Sequence, residues 1–422
     1  MIPGSRWLSE SRFQLSRPAV RVILLLSIVL SASAVMLGYS EVGAQHATIE
    51  RLNALDAEAR ADAWEGREDW GDIAYNGFHY TFDRPSSLAF AAMGQRDILP
   101  WQHRVRMLAL EGQIHERDPA NPELAHLGQF DFALVVCVLL PLLVIVLMSD
   151  IKAAERSAGR DALLIATAGS SHLWRDRALV LALLLGLSLL LPFWVGAVLS
   201  DTSFTLTALT TLLVVLYLSF WTWLVLRFAL SRATAQVTVL RLVGLWFVFA
   251  IAVPLLGRMA ILGGMPLPEP GEILMLQREE VNAAWDKPKP VTMDAFVDTH
   301  PQWREQSGVT RPFEWKWYYA FQQVGDQQAA TLAGQYRAGI VARERMTWWL
   351  SLISPPLLLH KALTCLARTD LLASMAYEDS VRDFHRAMRH FYYPLLFNDT
   401  PFDKGRLQRH PTFEEAESSC VI

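Results

Sequence analysis

Five long runs without a single charged side chain divide this chain of 422 residues: Val22 to Leu37, Phe132 to Met148, Ala178 to Leu199, Phe204 to Leu226 and Leu242 to Gly257. A helix needs about 20 mainly apolar residues to cross the hydrocarbon of a bilayer. Lipid offers no hydrogen bonds, so a spanning segment must satisfy its own backbone, and a helix does so. Pro141, Pro192 and Pro254 fall inside three of the runs and are expected as kinks within a bundle. With 52% apolar and 19% charged residues, the chain is too apolar for a soluble protein of this size and too polar for spans alone. The fold class expected is mainly α: a polytopic membrane helical bundle of five spans, possibly six, with two mostly helical extracytoplasmic domains. The net charge of −4 gives no reason to propose nucleic acid as a partner.

Basic residues orient the bundle. Arg6, Arg12, Arg17 and Arg21 precede the first run. Lys152, Arg156, Arg160, Arg175 and Arg177 lie between the second and third. Arg227, Arg232 and Arg241 lie between the fourth and fifth. These segments are expected in the cytoplasm. The resulting division is a cytoplasmic tail (1–21), span 1 (22–38), a first extracytoplasmic domain (39–131), span 2 (132–149) and a cytoplasmic coupling segment (150–177). Spans 3 and 4 (178–226), a cytoplasmic loop (227–241), span 5 (242–262) and a second extracytoplasmic domain (263–422) follow. An alternative reading of the first run is a secretory signal, given the small residues Ser31 to Ala34. The four later spans favour a retained helix.

In the first outer region, Ala47 to Trp64 has helical periodicity, followed by aromatic-rich loops around Trp70, Tyr75, Phe78, Tyr80 and Phe82. Asp118–Pro119 and Asn121–Pro122 mark a stiff turn. In the second, Trp315 to Arg345 reads as a helix with Phe321, Val324, Leu332, Tyr336 and Ile340 on its core face. Its aromatics Trp315, Trp317, Tyr318 and Tyr319 are expected to pack on their own domain, with a substrate-facing platform as the alternative. Met346 to Leu359 is short for a span and broken by Pro355–Pro356, so an interfacial or buried helix–turn element is favoured over a sixth span. Cys137, Cys365 and Cys420 make no metal-ligand spacing and no disulfide framework. A Cys365–Cys420 bridge is the minor alternative.

Several chemistries lack their residues. A P-loop needs a lysine directly after glycine, and none of the six lysines follows one. HExxH and GxSxG are absent. His385 and His390, flanked by Arg386 and Arg389, are expected on an exposed helix face rather than at a metal. Ion-coupled carriers place acids, bases or histidines within the membrane, and the five runs hold none.

One stretch remains to receive energy: Gln129 to Arg177, where span 2 runs into a short charged segment. Glu155, Arg156, Gly159, Leu163, Leu164, the small-residue turn Gly169 to Ser171, and Arg177 resemble the coupling motif of ABC-2 type permeases. That pattern is Glu, a basic residue, two intervening residues and Gly-Thr-Leu, then leucines, a small-residue turn and a basic residue opening the next span. Arg160 stands in place of the usual threonine, and the 168–171 turn has no proline. Asn121–Pro122, Gly128, Phe130 to Ala133, Leu140 to Leu142, Ser354–Pro355 and Thr369–Asp370 narrow the resemblance to a subgroup with a large extracytoplasmic insertion, catalogued mostly as a domain of unknown function. The resemblance implies a multi-pass permease of a bacterial inner membrane, without enzymatic activity or cofactor of its own. Its partners would be a cytoplasmic ABC ATPase subunit, a second permease copy or sister permease, and the lipid bilayer. Glu155, Arg156, Gly159, Leu163 and Leu164 would be its ATPase-coupling residues. The alternative function is a non-transporting membrane sensor or assembly protein with extracytoplasmic binding domains.

Overall fold

The computed structural model describes residues 3–96, 98–115, 130–168 and 172–415, with backbone alone at 3–6, 115 and 165–168. Asp118–Pro119, Asn121–Pro122, Gly128, the Gly169–Ser171 turn and Cys420 lie outside the described residues. Five helices are long and apolar enough to cross a membrane. A short helix α1 (Pro3–Ser16) leads into α2 (Pro18–Trp64), which carries span 1 and continues unbroken for 47 residues, about 70 Å at 1.5 Å per residue. The boundary expected near residue 39 is therefore no break in the backbone. Span 2 is α5 (residues 132–148), started by Asp131, whose carboxylate accepts from Leu134 N–H at 2.8 Å. Spans 3, 4 and 5 are α8 (Leu173–Leu199), α9 (Phe204–Ala229) and α10 (Ala235–Gly264). Ser203 and Thr234 cap the last two.

In two of the three proline-bearing spans a π turn and the proline leave a carbonyl without its helical donor, and a side chain from another element meets it. In span 5, Val253 N–H reaches back five residues to Val248, making a π turn, and Pro254 has no N–H. The Phe249 carbonyl thus loses both backbone donors. The Ser354 hydroxyl, 105 residues away, donates to it at 2.7 Å. Span 2 repeats the device: Leu140 N–H bonds to Val135, and Pro141 leaves Cys137 without its fourth-residue donor. Tyr217 donates to the Cys137 carbonyl at 2.7 Å, and Trp246 Nε1 to that of Val138 at 3.0 Å. Beside Pro192 of span 3, Ser31 of span 1 donates to the Leu189 carbonyl at 2.7 Å, and the Ser27 and Ser188 hydroxyls meet at 2.5 Å. These bonds tie span 1 to span 3.

The segments expected outside the cytoplasm, the outer segments, share one apolar core and do not form two separate domains. Helix α3 (Trp70–Asn76), strands β1 (His79–Phe82) and β2 (Gln102–Val105), and α4 (Leu110–His115) come from the first. From the second come α11 (Pro270–Ala283), α12 (Lys289–Thr299), α13 (Trp315–Ser351), α15 (Leu371–Phe397) and α16 (Lys404–Leu407). Ile73, Val105, Leu110 and Ile114 share one apolar core with Phe296, Phe321, Val381 and Leu396. The region from Trp70 to Phe82, expected as loops, is largely a helix and a strand. Trp317 and Tyr319 are buried in the core, as are Phe321 and Val324, while Leu332, Tyr336 and Ile340 are half-buried. His385 is buried rather than exposed, and its Nε2–H donates to the Leu108 carbonyl at 2.8 Å. The 3.6-residue period puts it beside Val381, Phe384 and Met388 on the core side of α15. His390 is exposed.

Residues 346–366 make a helix–turn–helix that enters the bundle. The end of α13 packs Leu350 into Gly257 of span 5. After a turn at 352–354, α14 (Pro355–Leu366) packs on spans 2, 4 and 5. Its 12 residues extend about 18 Å, too short to cross the hydrocarbon. Because Ser354 binds Phe249, near the middle of span 5, the turn reaches that depth and α14 returns outward. A buried Glu344–Lys361 ion pair ties the two arms, with Lys361 also 5.3 Å from the Trp348 ring. At the outer end, Thr369 donates to the Ala92 carbonyl at 2.7 Å. Gly94 (φ +57) accepts the left-handed backbone and the close approach of the Thr369 carbonyl, which a Cβ would meet at 2.5 Å. Cys365, at the end of α14, is disulfide-bonded, contrary to the expectation of no bridge. Cys137 is free and buried.

Ser354→Ala strands the Phe249 carbonyl and should destabilise the bundle by about 1–3 kcal/mol. In a Pro254→Ala background, where a backbone N–H returns, the same change should cost less. Steric-trap unfolding in lipid would measure this double-mutant cycle.

Candidate functional site

The end of span 2, the start of span 3, the turn between spans 4 and 5, and α1 converge at the bundle end opposite the outer core. Beyond span 2, α6 (Ala153–Ser157) is one turn long and stops at Gly159. There Arg160 N–H bonds to the Glu155 carbonyl and Gly159 N–H to that of Arg156, both at 3.0 Å. This pairing closes a helix through a left-handed residue, and Gly159 has φ +70. Its role is to redirect the chain into α7 (Asp161–Ala168).

Glu155 is the centre of the ionic contacts. It takes Arg160 Nε at 2.8 Å and Arg177 Nη1 at 3.1 Å. Arg177 also reaches Glu10 of α1 at 3.1 Å, and its guanidinium lies 5.3 Å from the Phe13 and Trp174 rings. One arginine therefore joins α1, α6 and span 3. Burial alone would raise the Glu155 pKa, but hydrogen bonds and charges from Arg160 and Arg177 outweigh it and hold the group below its ordinary value of 4.5. Arg156 points the other way and donates to the Ala233 carbonyl at 2.6 Å, in the turn between spans 4 and 5. Leu164 is half-buried against the bundle core, whereas Leu163 is 64% exposed.

Of the five sequence-predicted residues, Glu155, Arg156 and Gly159 thus form one connected knot, Leu164 anchors α7 to it, and Leu163 faces away. Arg160, the departure from the family pattern, supplies the second counter-charge to Glu155. Glu10 was not foreseen. Its partner is remote in sequence, and the tail was read only as basic. The outer markers also have structural work. Asp131 caps span 2 and accepts from Met93 N–H at 2.9 Å, Ser354 caps both α14 and the span 5 break, and Asp370 caps α15.

Residues 271–415 match the family model of a domain of unknown function (DUF3526). The matched stretch contains α11 to α16, including the inserted helix–turn–helix. No curated protein and no solved structure matches the chain.

Arg177→Gln should free α1 and α6 together, because the Arg177 side chain is only 10% exposed and bridges two carboxylates. Arg160→Gln removes a pair whose arginine is 60% exposed and should cost under about 1 kcal/mol. Hydrogen exchange over 3–16 and 150–164 would separate the two. The depressed pKa of Glu155 gives stability that is present above pH 4.5 and lost as pH falls from there through the folded-state value. Exchange in this knot should therefore accelerate on acidification below pH 4.5, and Glu155→Gln should remove that component.

Proposed function

We propose that this membrane-like helical protein is the permease subunit of an ATP-binding cassette exporter in the cell inner membrane. A separate cytoplasmic ATPase subunit drives it, alongside a second copy or a sister permease. The observation that carries this reading is the knot around Glu155. A small element outside the bundle is bonded to span 3 through Arg177, to the turn before span 5 through Arg156, and to α1 through the Arg177–Glu10 contact. A displacement applied to α6 and α7 is thereby passed to several spans at once. An anchor would need no such junction. Leu163, apolar and exposed beside the knot, is the contact we assign to the ATPase.

The ATPase encoded beside this gene should co-purify with the chain. Leu163→Asp should weaken that association at least about tenfold without unfolding the bundle, since the side chain is exposed. Gly159→Pro and Glu155→Lys should uncouple transport, the first because proline cannot adopt a positive φ, the second because it places a cation between Arg160 and Arg177. Retention of both ATPase docking and transport in these variants overturns the coupling role. A chain that recruits no ATPase points to the sensor reading.

A further inference from the structure

The two strands of the outer body have unlike faces. His79, Thr81, His103 and Val105 are buried on one. The alternate positions carry Phe78, Tyr80, Arg104 and Arg106, of which Arg104 is exposed and the others are half-buried. The Arg104 guanidinium lies over the Phe78 ring at 3.6 Å, and 5.9 Å from the ring of Tyr80. Arg106 lies 4.9 Å from Phe78 and 5.1 Å from Tyr75. From Tyr75 the rings continue to Tyr318 of α13 at 5.9 Å, and from Tyr318 to Phe313 and Trp285 at 6.0 Å each. Trp285 is 52% exposed and Phe313 42%. One strip of arginines and solvent-facing rings thus runs from the strands to the helical side. Tryptophan, tyrosine and arginine are the residue types that carry most energy in protein interfaces.

The strip has positive charge to offer. Among the described residues no carboxylate pairs with Arg104 or Arg106. Asp56, close enough to feel Arg104, is paired with Arg60, and on the flanks Asp72 is paired with Arg67 and Glu314 with Lys316. A third cation, Lys289, lies 5.0 Å from the Trp317 ring, which packs on Trp285 at 5.3 Å. A guanidinium laid on a ring has its face covered and its N–H edges open, and a planar carboxylate fits such an edge with two parallel bonds. Arg104 and Arg106 are alternate residues of an extended chain, about 7 Å apart. An extended peptide repeats its own side chains on one face with the same period. Membrane lipid is not within reach. Phe78 follows Gly77, where a Cβ would meet the Trp64 indole at 3.0 Å, and Trp64 lies about 39 Å along α2 from residue 38, the expected outer end of span 1. Tyr318 lies about 50 Å along α13 from Ser351, beside the turn that reaches the middle of span 5.

We infer that this strip docks an extended acidic segment of a partner protein. Carboxylates at alternate residues of that segment meet Arg104 and Arg106, and an apolar side chain beside them meets Tyr318 and Trp285. The inference stands whether or not the chain is a permease. Fluorescence anisotropy on the full chain in lipid nanodiscs tests it with three labelled peptides. One alternates glutamate with serine and ends in tryptophan, and the other two replace each glutamate by glutamine or lysine. The glutamate peptide should bind at least about tenfold more tightly than either of the others, and less tightly as salt rises. Arg104→Gln combined with Arg106→Gln should weaken it at least about tenfold, and Trp285→Ser should weaken all peptides ending in tryptophan. Arg104→Glu with Arg106→Glu should turn the preference to the lysine peptide, a gain that a misfolded chain would not show. Equal binding of the glutamate and lysine peptides overturns the inference, as does undiminished binding in the double glutamine variant. Succinate binding as tightly as the glutamate peptide would make the strip a small-anion site and overturn it too. Arg104→Cys forming a disulfide between two copies in one nanodisc would name a second copy as the occupant, with the same consequence.

Discussion

A backbone carbonyl in lipid that loses its helical donor must find another, and this bundle has two places where that happens, in spans 2 and 5. Proline costs little in a membrane helix only when a neighbour supplies the missing hydrogen bond. Tyr217 and Ser354 supply that bond from other elements, and Trp246 bonds the carbonyl next to the first. Packing between spans is otherwise apolar and weakly directional. These hydroxyl and indole contacts fix which faces meet and at what height. Ser354 is the most consequential of them, because it sets how deep the inserted helix–turn–helix sits.

That insertion also explains why the outer and membrane parts are not independent modules. Helix α2 rises from span 1 into the outer body, and α13 descends from the outer core to the middle of span 5. Between them, Phe90 stacks on Phe193 at 6.0 Å and Phe132 on Phe193 at 4.9 Å, seating the loop before β2 on spans 2 and 3. The buried Arg96, paired with Asp83 and 3.2 Å from Gln45 of α2, closes the same layer. The charged knot at the far end repeats the principle with ion pairs in place of hydroxyls.

The spans were legible because run length and absence of charge report directly on a bilayer. Glu155, Arg156 and Gly159 were legible because a Schellman turn and its ionic partners lie within a few residues. Other features were not, and for one shared reason. Periodicity reveals that a helix has an apolar face but not what covers it. Ile73 and Phe296 each advertise a core, yet nothing local says it is the same core. The prolines were visible, but their caps lie 80 and 105 residues away. His385 looked solvent-facing because Arg386 and Arg389 surround it. Asp326 buries with Arg389 at 2.6 Å and hides that charge.

A long helix with one end in a folded core and the other in a bilayer is a lever arm. Helix α13 has 37 residues, about 55 Å, and its lower tip is held to span 5 by Leu350 packed at Gly257 and, just beyond the helix, by the Ser354 hydroxyl. Pivoting it by about 5° within the outer body would carry that tip about 5 Å, more than the length of a hydrogen bond. The outer core and the proline break of span 5 are thus mechanically geared: neither can reorient by more than a small angle without the other registering it.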